Sequence, residues 1–244
     1  MAGVNALQWL NMTRHGESTG NVAYQAVEGT DAEEAGIPER DADVPLSDTG
    51  RAQAARLGLW LARLPEDERP TLIVASPYVR TMDTAKIALA QTSYAAPRDP
   101  DGPGVKIDER LRDREQGVLQ GLTTIGVERR FPEEAARLRR LGKFYYRPPG
   151  GESWADLALR LRSFYRDLET EAPGGRVMVV THDAIVATTR YLVEGLTEKE
   201  VMDLDEKESI GNASLTRWRQ DGAGLQAVCY NDTTHLINAG VSSA

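Results

Sequence analysis

Cysteine is almost missing from this chain: Cys229 stands alone among 244 residues. A single thiol closes no internal disulfide, and with only three histidines beside it the chain lacks the ligands for a Cys/His zinc cluster of ordinary spacing. Long apolar runs are missing too. No stretch approaches the roughly 18 consecutive apolar residues of a spanning helix, so no membrane is expected as a partner. The start, Met1-Ala2-Gly3-Val4-Asn5, has neither the basic residues nor the apolar run of a secretory leader. Together with the lone cysteine this points to a reducing, cytoplasmic compartment. Positive charge is not in excess: 29 Lys and Arg face 37 Asp and Glu, a net charge of -8. That is the wrong sign for holding phosphate backbones by bulk charge, and nucleic acid is not an expected partner.

What is present is the composition of a globular chain, 41% hydrophobic and 27% charged. A prior of about 150 residues per domain allows one large domain or two small ones. The order of elements favours one domain over residues 1–244.

Residues 7–12 read as a buried strand that runs into the polar turn Thr13-Arg14-His15-Gly16-Glu17. Residues 18–45 hold several acids, glycines and prolines without a period and read as a surface loop, with one short helix near 32–35. Ser47 caps a helix whose Ala54, Leu57, Leu61 and Leu64 form an apolar stripe. A second strand at 71–75 stops at Ser76-Pro77 and is followed by a helix over 79–90. After a Pro/Gly-rich connector at 97–104 come a short strand at 105–107 and a charged loop at 111–121. Residues 122–151 read as a cap-like insertion, carrying a basic helix over 128–141. Ser153 caps a helix with Trp154, Leu157, Leu161, Phe164 and Leu168 on one face. The strongest strand signal, 177–180, ends at Thr181-His182-Asp183 before a helix to about 193, and the tail forms a hairpin of 213–218 with 225–230 around Asp221-Gly222. The fold class is therefore α/β: a three-layer α/β/α sandwich with a mostly parallel central sheet and one antiparallel edge element. Ligands of such sheets sit beyond the carboxyl ends of the strands.

Two of the three histidines, His15 and His182, stand directly after buried strands, at matching topological positions. Arg14 adjoins the first, and Arg80 lies four residues past Ser76, at another strand exit. Guanidinium groups bind phosphate through paired planar hydrogen bonds, so two arginines and two imidazoles at one rim make a cradle for one phosphoryl group. An acid for the reaction would come from the charged loop containing Asp113 and Glu115.

These residues carry a family resemblance. Arg14-His15-Gly16-Glu17-Ser18 with Asn21 resembles the Arg-His-Gly signature of the histidine phosphatase superfamily, which holds cofactor-dependent phosphoglycerate mutases and their phosphatase relatives. In family order follow Asp43-Val44-Pro45-Leu46-Ser47 with Gly50 and Gln53-Ala54, then Ser76-Pro77 with Arg80 and Thr84-Ala85, the acid loop 111–121, Gly151-Glu152-Ser153, and Thr181-His182. The resemblance spans about residues 7–193 and implies a phosphomonoester hydrolase acting on a small phosphorylated metabolite. His15 is the implied nucleophile and forms a phosphohistidine that water hydrolyses. Arg14, Arg80, His182 and Asn21 would hold the phosphoryl oxygens, with Ser18, Glu115 and Asp183 completing the substrate-binding set. No metal and no cofactor are implied. Asp113 is the implied proton donor where the family commonly has Glu, and Glu115 is its rival. Asp183 stands where a small residue is often seen.

Two other functions compete: phosphoglycerate mutase-type phosphoryl transfer, and a module that binds phosphorylated partners without turnover. The tail around Asn212-Ala213-Ser214 and Tyr230-Asn231-Asp232 resembles the phosphatase branch. Arg139, Arg140 and Lys143 either grip a second acidic group on the substrate or form an exposed helix face balanced by Glu133 and Glu134. His235 reads as a surface or packing residue. The expected partners are the small substrate and, at most, a second copy of the chain in a homodimer.

Overall fold

The apolar run Val177-Met178-Val179-Val180 is buried throughout and has no polar alternate, so both of its faces must be covered. In the computed structural model, which describes residues 6–92 and 104–237, it lies inside a six-stranded sheet. Most of the expected connector at 97–104 lies outside the described residues. In chain order the elements are β1 (Trp9–Arg14), α1 (Thr19–Val27), α2 (Asp48–Ala62), β2 (Leu72–Ala75), α3 (Val79–Leu89), β3 (Lys106–Ile107), α4 (Thr124–Arg130), α5 (Pro132–Leu141), α6 (Trp154–Glu171), β4 (Arg176–Thr181), α7 (Asp183–Glu194), α8 (Glu198–Lys207), β5 (Leu215–Gln220), β6 (Leu225–Asp232) and α9 (Thr234–Ile237).

The strand order is β3-β2-β4-β1-β5-β6. β1, β2, β3 and β4 pair in parallel, and the β5-β6 hairpin joins β1 antiparallel at the edge. Period-two alternation sorts the central strand: Val177 and Val179 pack with Leu157, Leu161 and Ile185 of α6 and α7, while Met178 packs with Leu57, Leu61 and Ala88 of α2 and α3. Helices thus cover both faces. Among the described residues no helix is long and apolar enough to cross a membrane.

Ser47 and Ser153 cap their helices as expected, each side chain accepting from a backbone N-H in the first turn. Three stretches differ from the sequence reading. The loop at 18–45 contains a nine-residue helix, α1, capped by Ser18, and residues 32–35 are not helical. Only Gly20 of α1 is buried, so the helix carries no apolar stripe to betray it. The basic helix is two helices, because Pro132 has no N-H to continue α4 and instead starts α5. Helix α8 was not anticipated, although Thr197 and Glu200 form a capping box at its start.

Candidate active site

Strand register brings the two histidines together. Arg14 lies opposite Thr181 in the parallel β1-β4 pair, so the next residue of each strand leaves the sheet at the same edge. The His15 N-H donates to the Thr181 carbonyl at 2.9 Å, and the two imidazole centroids are 5.3 Å apart at 64°. On the other side of β4, the Ser76 N-H donates to the Val180 carbonyl at 3.1 Å, and Ser76 Oγ lies 2.9 Å from His182 Nε2.

The turn that carries His15 is packed without slack. A Cβ on Gly16 would fall 2.4 Å from the Gly50 carbonyl oxygen, and a Cβ on Gly50 1.9 Å from the Glu17 carbonyl oxygen. Only glycine permits that approach. Glu17 completes the seat, its N-H donating to Gln53 Oε1 at 2.8 Å and its carboxylate accepting from Ser47 Oγ at 2.5 Å. From the tail, the Ala213 N-H, at a φ of 54°, donates to the carbonyls of Arg14 and His15, and Asn212 Nδ2 donates to the His15 carbonyl at 3.1 Å.

These contacts settle which ring nitrogen of His15 faces outward. Nδ1 lies 2.7 Å from the Gly16 carbonyl oxygen, which only a protonated Nδ1 can satisfy. Nε2 then carries the lone pair, and Arg80 Nε donates to it at 3.2 Å. His15 is 3% exposed and His182 0%. Burial, Arg80, Arg14 and His182 hold the His15 imidazole well below its ordinary value against the Gly16 bond, and burial, Arg80, Arg14 and Arg160 do the same for His182. Both shifts favour the neutral ring.

Arg80 is 4% exposed and anchored on three sides: Nε at His15, Nη1 donating to the Asp41 carbonyl at 2.5 Å, and Nη2 3.1 Å from Asp113 Oδ2. Arg14 donates through Nη1 to the Ile210 carbonyl at 2.6 Å and faces Asp183 Oδ2 at 3.6 Å. Its buried Nε has no hydrogen-bond partner, nor has His182 Nδ1, which lies 3.4 Å from Asp113 Oδ2 but is not aligned with it. Buried donors without acceptors are costly. Arg14 lines a cavity of about 360 Å³ together with His15, Asn21, Arg80, Asp113 and Asp183, and His182 packs behind it against the His15 ring. Asn21 Oδ1 accepts from the Ser18 N-H, from Ser18 Oγ and from Asn212 Nδ2, which leaves the Asn21 amide nitrogen as the donor facing outward.

Of the residues singled out from sequence, the structure gathers Arg14, His15, Ser18, Asn21, Arg80, Asp113 and Asp183 around this cavity, with His182 beneath it. Ser18 Oγ is spent on capping α1. Glu115 does not join them: it is exposed and its carboxylate accepts from the Gly117 N-H at 3.2 Å. The basic trio divides. Arg139 is exposed, 3.8 Å from Glu128, and Arg140 is exposed away from the cavity, whereas Lys143 reaches the rim but is held by Asp205 at 2.5 Å. Arg114 lines the cavity instead, its guanidinium donating to Glu152 O and Gln116 Oε1 and its backbone N-H to Asp113 Oδ1. His235 packs against Trp60, with ring centroids 6.4 Å apart. Sequence reading missed Asp41, gave no role to Ser76 or Asn212, and took Trp154 as core only, although its buried Nε1 is unpartnered and borders the cavity. Among the described residues no group of three His, Cys, Asp or Glu side chains is placed to hold a metal ion.

Two buried neutral imidazoles have a consequence for stability. Below pH about 6.5 the unfolded chain protonates both rings and the folded chain does not, so stability falls as pH drops through that value and is independent of these groups above it. Replacing His182 by glutamine is expected to make the fall of the urea midpoint between about pH 6.5 and about pH 5 shallower than in the wild type. Parallel curves for the two proteins contradict neutral burial of His182.

The chain is similar to known proteins in sequence and in fold. The family model described as histidine phosphatase superfamily, branch 1, matches residues 10–233. A 2,3-bisphosphoglycerate-dependent phosphoglycerate mutase of Gloeobacter violaceus is 31% identical, over 79% of this chain and 78% of its own. A glucosyl-3-phosphoglycerate phosphatase of Mycobacterium tuberculosis is 31% identical, over 85% of this chain and 83% of its own. Among solved structures, a mycobacterial glucosyl-3-phosphoglycerate phosphatase in complex with VO3 superposes with a TM-score of 0.68 at 27% identity, covering 93% of this chain and 100% of that one.

Proposed function

The chain belongs to the histidine phosphatase superfamily, branch 1, and from that premise we propose that it hydrolyses a small phosphomonoester through a phosphohistidine on His15. One observation carries the reading: an imidazole at the cavity wall whose Nε2 has no proton and accepts from Arg80 Nε, beside Arg14 and with the buried His182 ring packed against it.

In the first step Nε2 attacks phosphorus in line, the P–N bond forms as the P–O bond to the alcohol breaks, and Asp113 gives its proton to the departing oxygen. Arg80, Arg14, His182 Nδ1-H and the Asn21 amide stabilise the equatorial oxygens. In the second step the Asp113 carboxylate takes a proton from water, the water oxygen attacks phosphorus, and the P–N bond breaks to return neutral His15 and inorganic phosphate. A Ser76 Oγ-H donated to His182 Nε2 would keep the proton of that ring on Nδ1, on the side of Asp113. Asp183 lies against Arg14 and contributes to setting its direction.

The relatives bear names from both sides of a division, a mutase and a phosphatase. The difference is whether the phosphohistidine meets water or a second hydroxyl. Hydrolysis is favoured because Arg80 is engaged by Asp41 and Asp113 and Lys143 by Asp205, which disfavours holding a doubly phosphorylated intermediate. The same reading sets the protein in a reducing, cytoplasmic compartment, acting on a small phosphorylated metabolite. Phosphate release from a panel of sugar, glycerate and aryl phosphates, measured beside interconversion of 3- and 2-phosphoglycerate, is expected to exceed the interconversion for every active substrate. Faster interconversion than release makes the protein a mutase, and no turnover of any substrate makes it a binding module.

A further inference from the structure

Asp41 stands in the 3-10 turn Asp41–Asp43 and lines the cavity in contact with Arg80. Arg80 Nη1 lies 3.2 Å from Asp41 Oδ1, Nη2 lies 3.4 Å from Oδ2, and the backbone carbonyl of Asp41 accepts from Nη1 as well. With Asp113 on Nη2, one guanidinium carries two carboxylates on the edge adjoining its contact with His15. An arriving phosphoryl oxygen must use that edge. Ionised, Asp41 repels a dianion there. Protonated, its carboxyl offers one more donor.

Among the described residues Arg80 is the cation that touches Asp41; Arg14, Arg114 and Lys143 line the same cavity but are held by Asp183, by Glu152 O and Gln116, and by Asp205. From α3 and the residue before it, Asp41 faces Arg80 and the Tyr78 phenol; from the acid loop, Asp113, with the charge of the outward Glu115 farther off; from α1, the Tyr24 phenol. In its own turn, Arg40 is engaged with Asp43 at 3.0 Å. Burial pushes the Asp41 carboxyl up, Arg80 opposes this, and Asp113 and Glu115 push it further up. The phenols stay neutral, Tyr78 being pushed up to about 12 chiefly by burial.

We propose that Asp41 sets the charge state in which this site accepts an oxyanion: it takes up a proton as the dianion binds and hydrogen-bonds to it, so affinity falls as pH rises. The inference rests on the phosphoryl-site reading above. The probe is sulfate, which keeps two charges through the whole pH range, as a competitive inhibitor of aryl phosphate hydrolysis. In the wild type the inhibition constant rises with pH between about pH 5 and about pH 8, and in Asp41→Asn the slope of its logarithm against pH is shallower by about one proton. The variant binds sulfate about tenfold or more tightly than wild type at the alkaline end and nearly equally at the acid end. Asp41→Ser, equally unable to ionise, shares this behaviour, and Asp43→Asn in the same turn follows the wild type. A wild-type slope in both Asp41 variants, or the same flattening in Asp43→Asn, overturns the proposal. Unimpaired hydrolysis in His15→Ala instead overturns the reading of the site, so the two failures are told apart.

Discussion

Alanine at position 15 is expected to lower phosphomonoester hydrolysis by on the order of a thousandfold or more, whatever the leaving group. The size follows from the role: without Nε2 no covalent intermediate forms, and water would have to attack in a cavity built around an imidazole. The loss would not be a folding artefact. The turn is held by backbone approach between Gly16 and Gly50 and by the contacts of Glu17 with Ser47 and Gln53, none of which uses the imidazole. The unfolding midpoint above pH about 6.5 is therefore expected to move much less than activity. Wild-type kcat in a folded His15→Ala variant would remove His15 from the mechanism.

The second large effect separates two acids that lie two residues apart. Asp113→Asn is expected to lower kcat about 100- to 10,000-fold for alkyl phosphates, whose alkoxide leaves only with a proton, and much less for an aryl phosphate with an acidic phenol. Glu115→Gln is expected to stay within about twofold of wild type for both. The geometry is the reason. Asp113 Oδ2 lies 3.1 Å from Arg80 Nη2 and 3.4 Å from His182 Nδ1, whereas Glu115 is turned outward to the Gly117 N-H. Equal losses in the two variants, or no dependence on the leaving group in Asp113→Asn, would defeat the assignment.

The histidines were legible because a buried strand that stops abruptly at a polar triplet leaves its next side chain at the carboxyl edge of the sheet, and β1 and β4 do so in register. Gly50 and Gln53 were legible as motif residues, but their purpose, closing the His15 turn from the start of α2, is a tertiary fact. Asp113 and Glu115 could not be separated by alternation alone, since two residues apart on extended chain share a side. The 3-10 turn at Gly117–Leu119, with Gly117 at a φ of 54°, supplies the N-H that draws Glu115 away.

Asp41 had no local signal. It is one acid among several in a stretch without a period, and only the path of the chain after α1 brings it to Arg80. Helices α1 and α8 hid for a related reason: each buries a single residue, Gly20 and Val201, so neither shows the stripe by which α2 and α6 are recognised. Their capping boxes, Ser18 with Asn21 and Thr197 with Glu200, were the available signs. In α1 the box serves twice, since the bonds that cap the helix also turn the Asn21 amide toward the cavity.

The most direct test is to mix enzyme with a phosphomonoester labelled at phosphorus, quench within the first turnovers in alkali, and map the protein-bound label. An N-linked phosphoryl group, stable to base, lost in acid and carried by residue 15, is the predicted result. Label on any other side chain, with turnover intact, contradicts it.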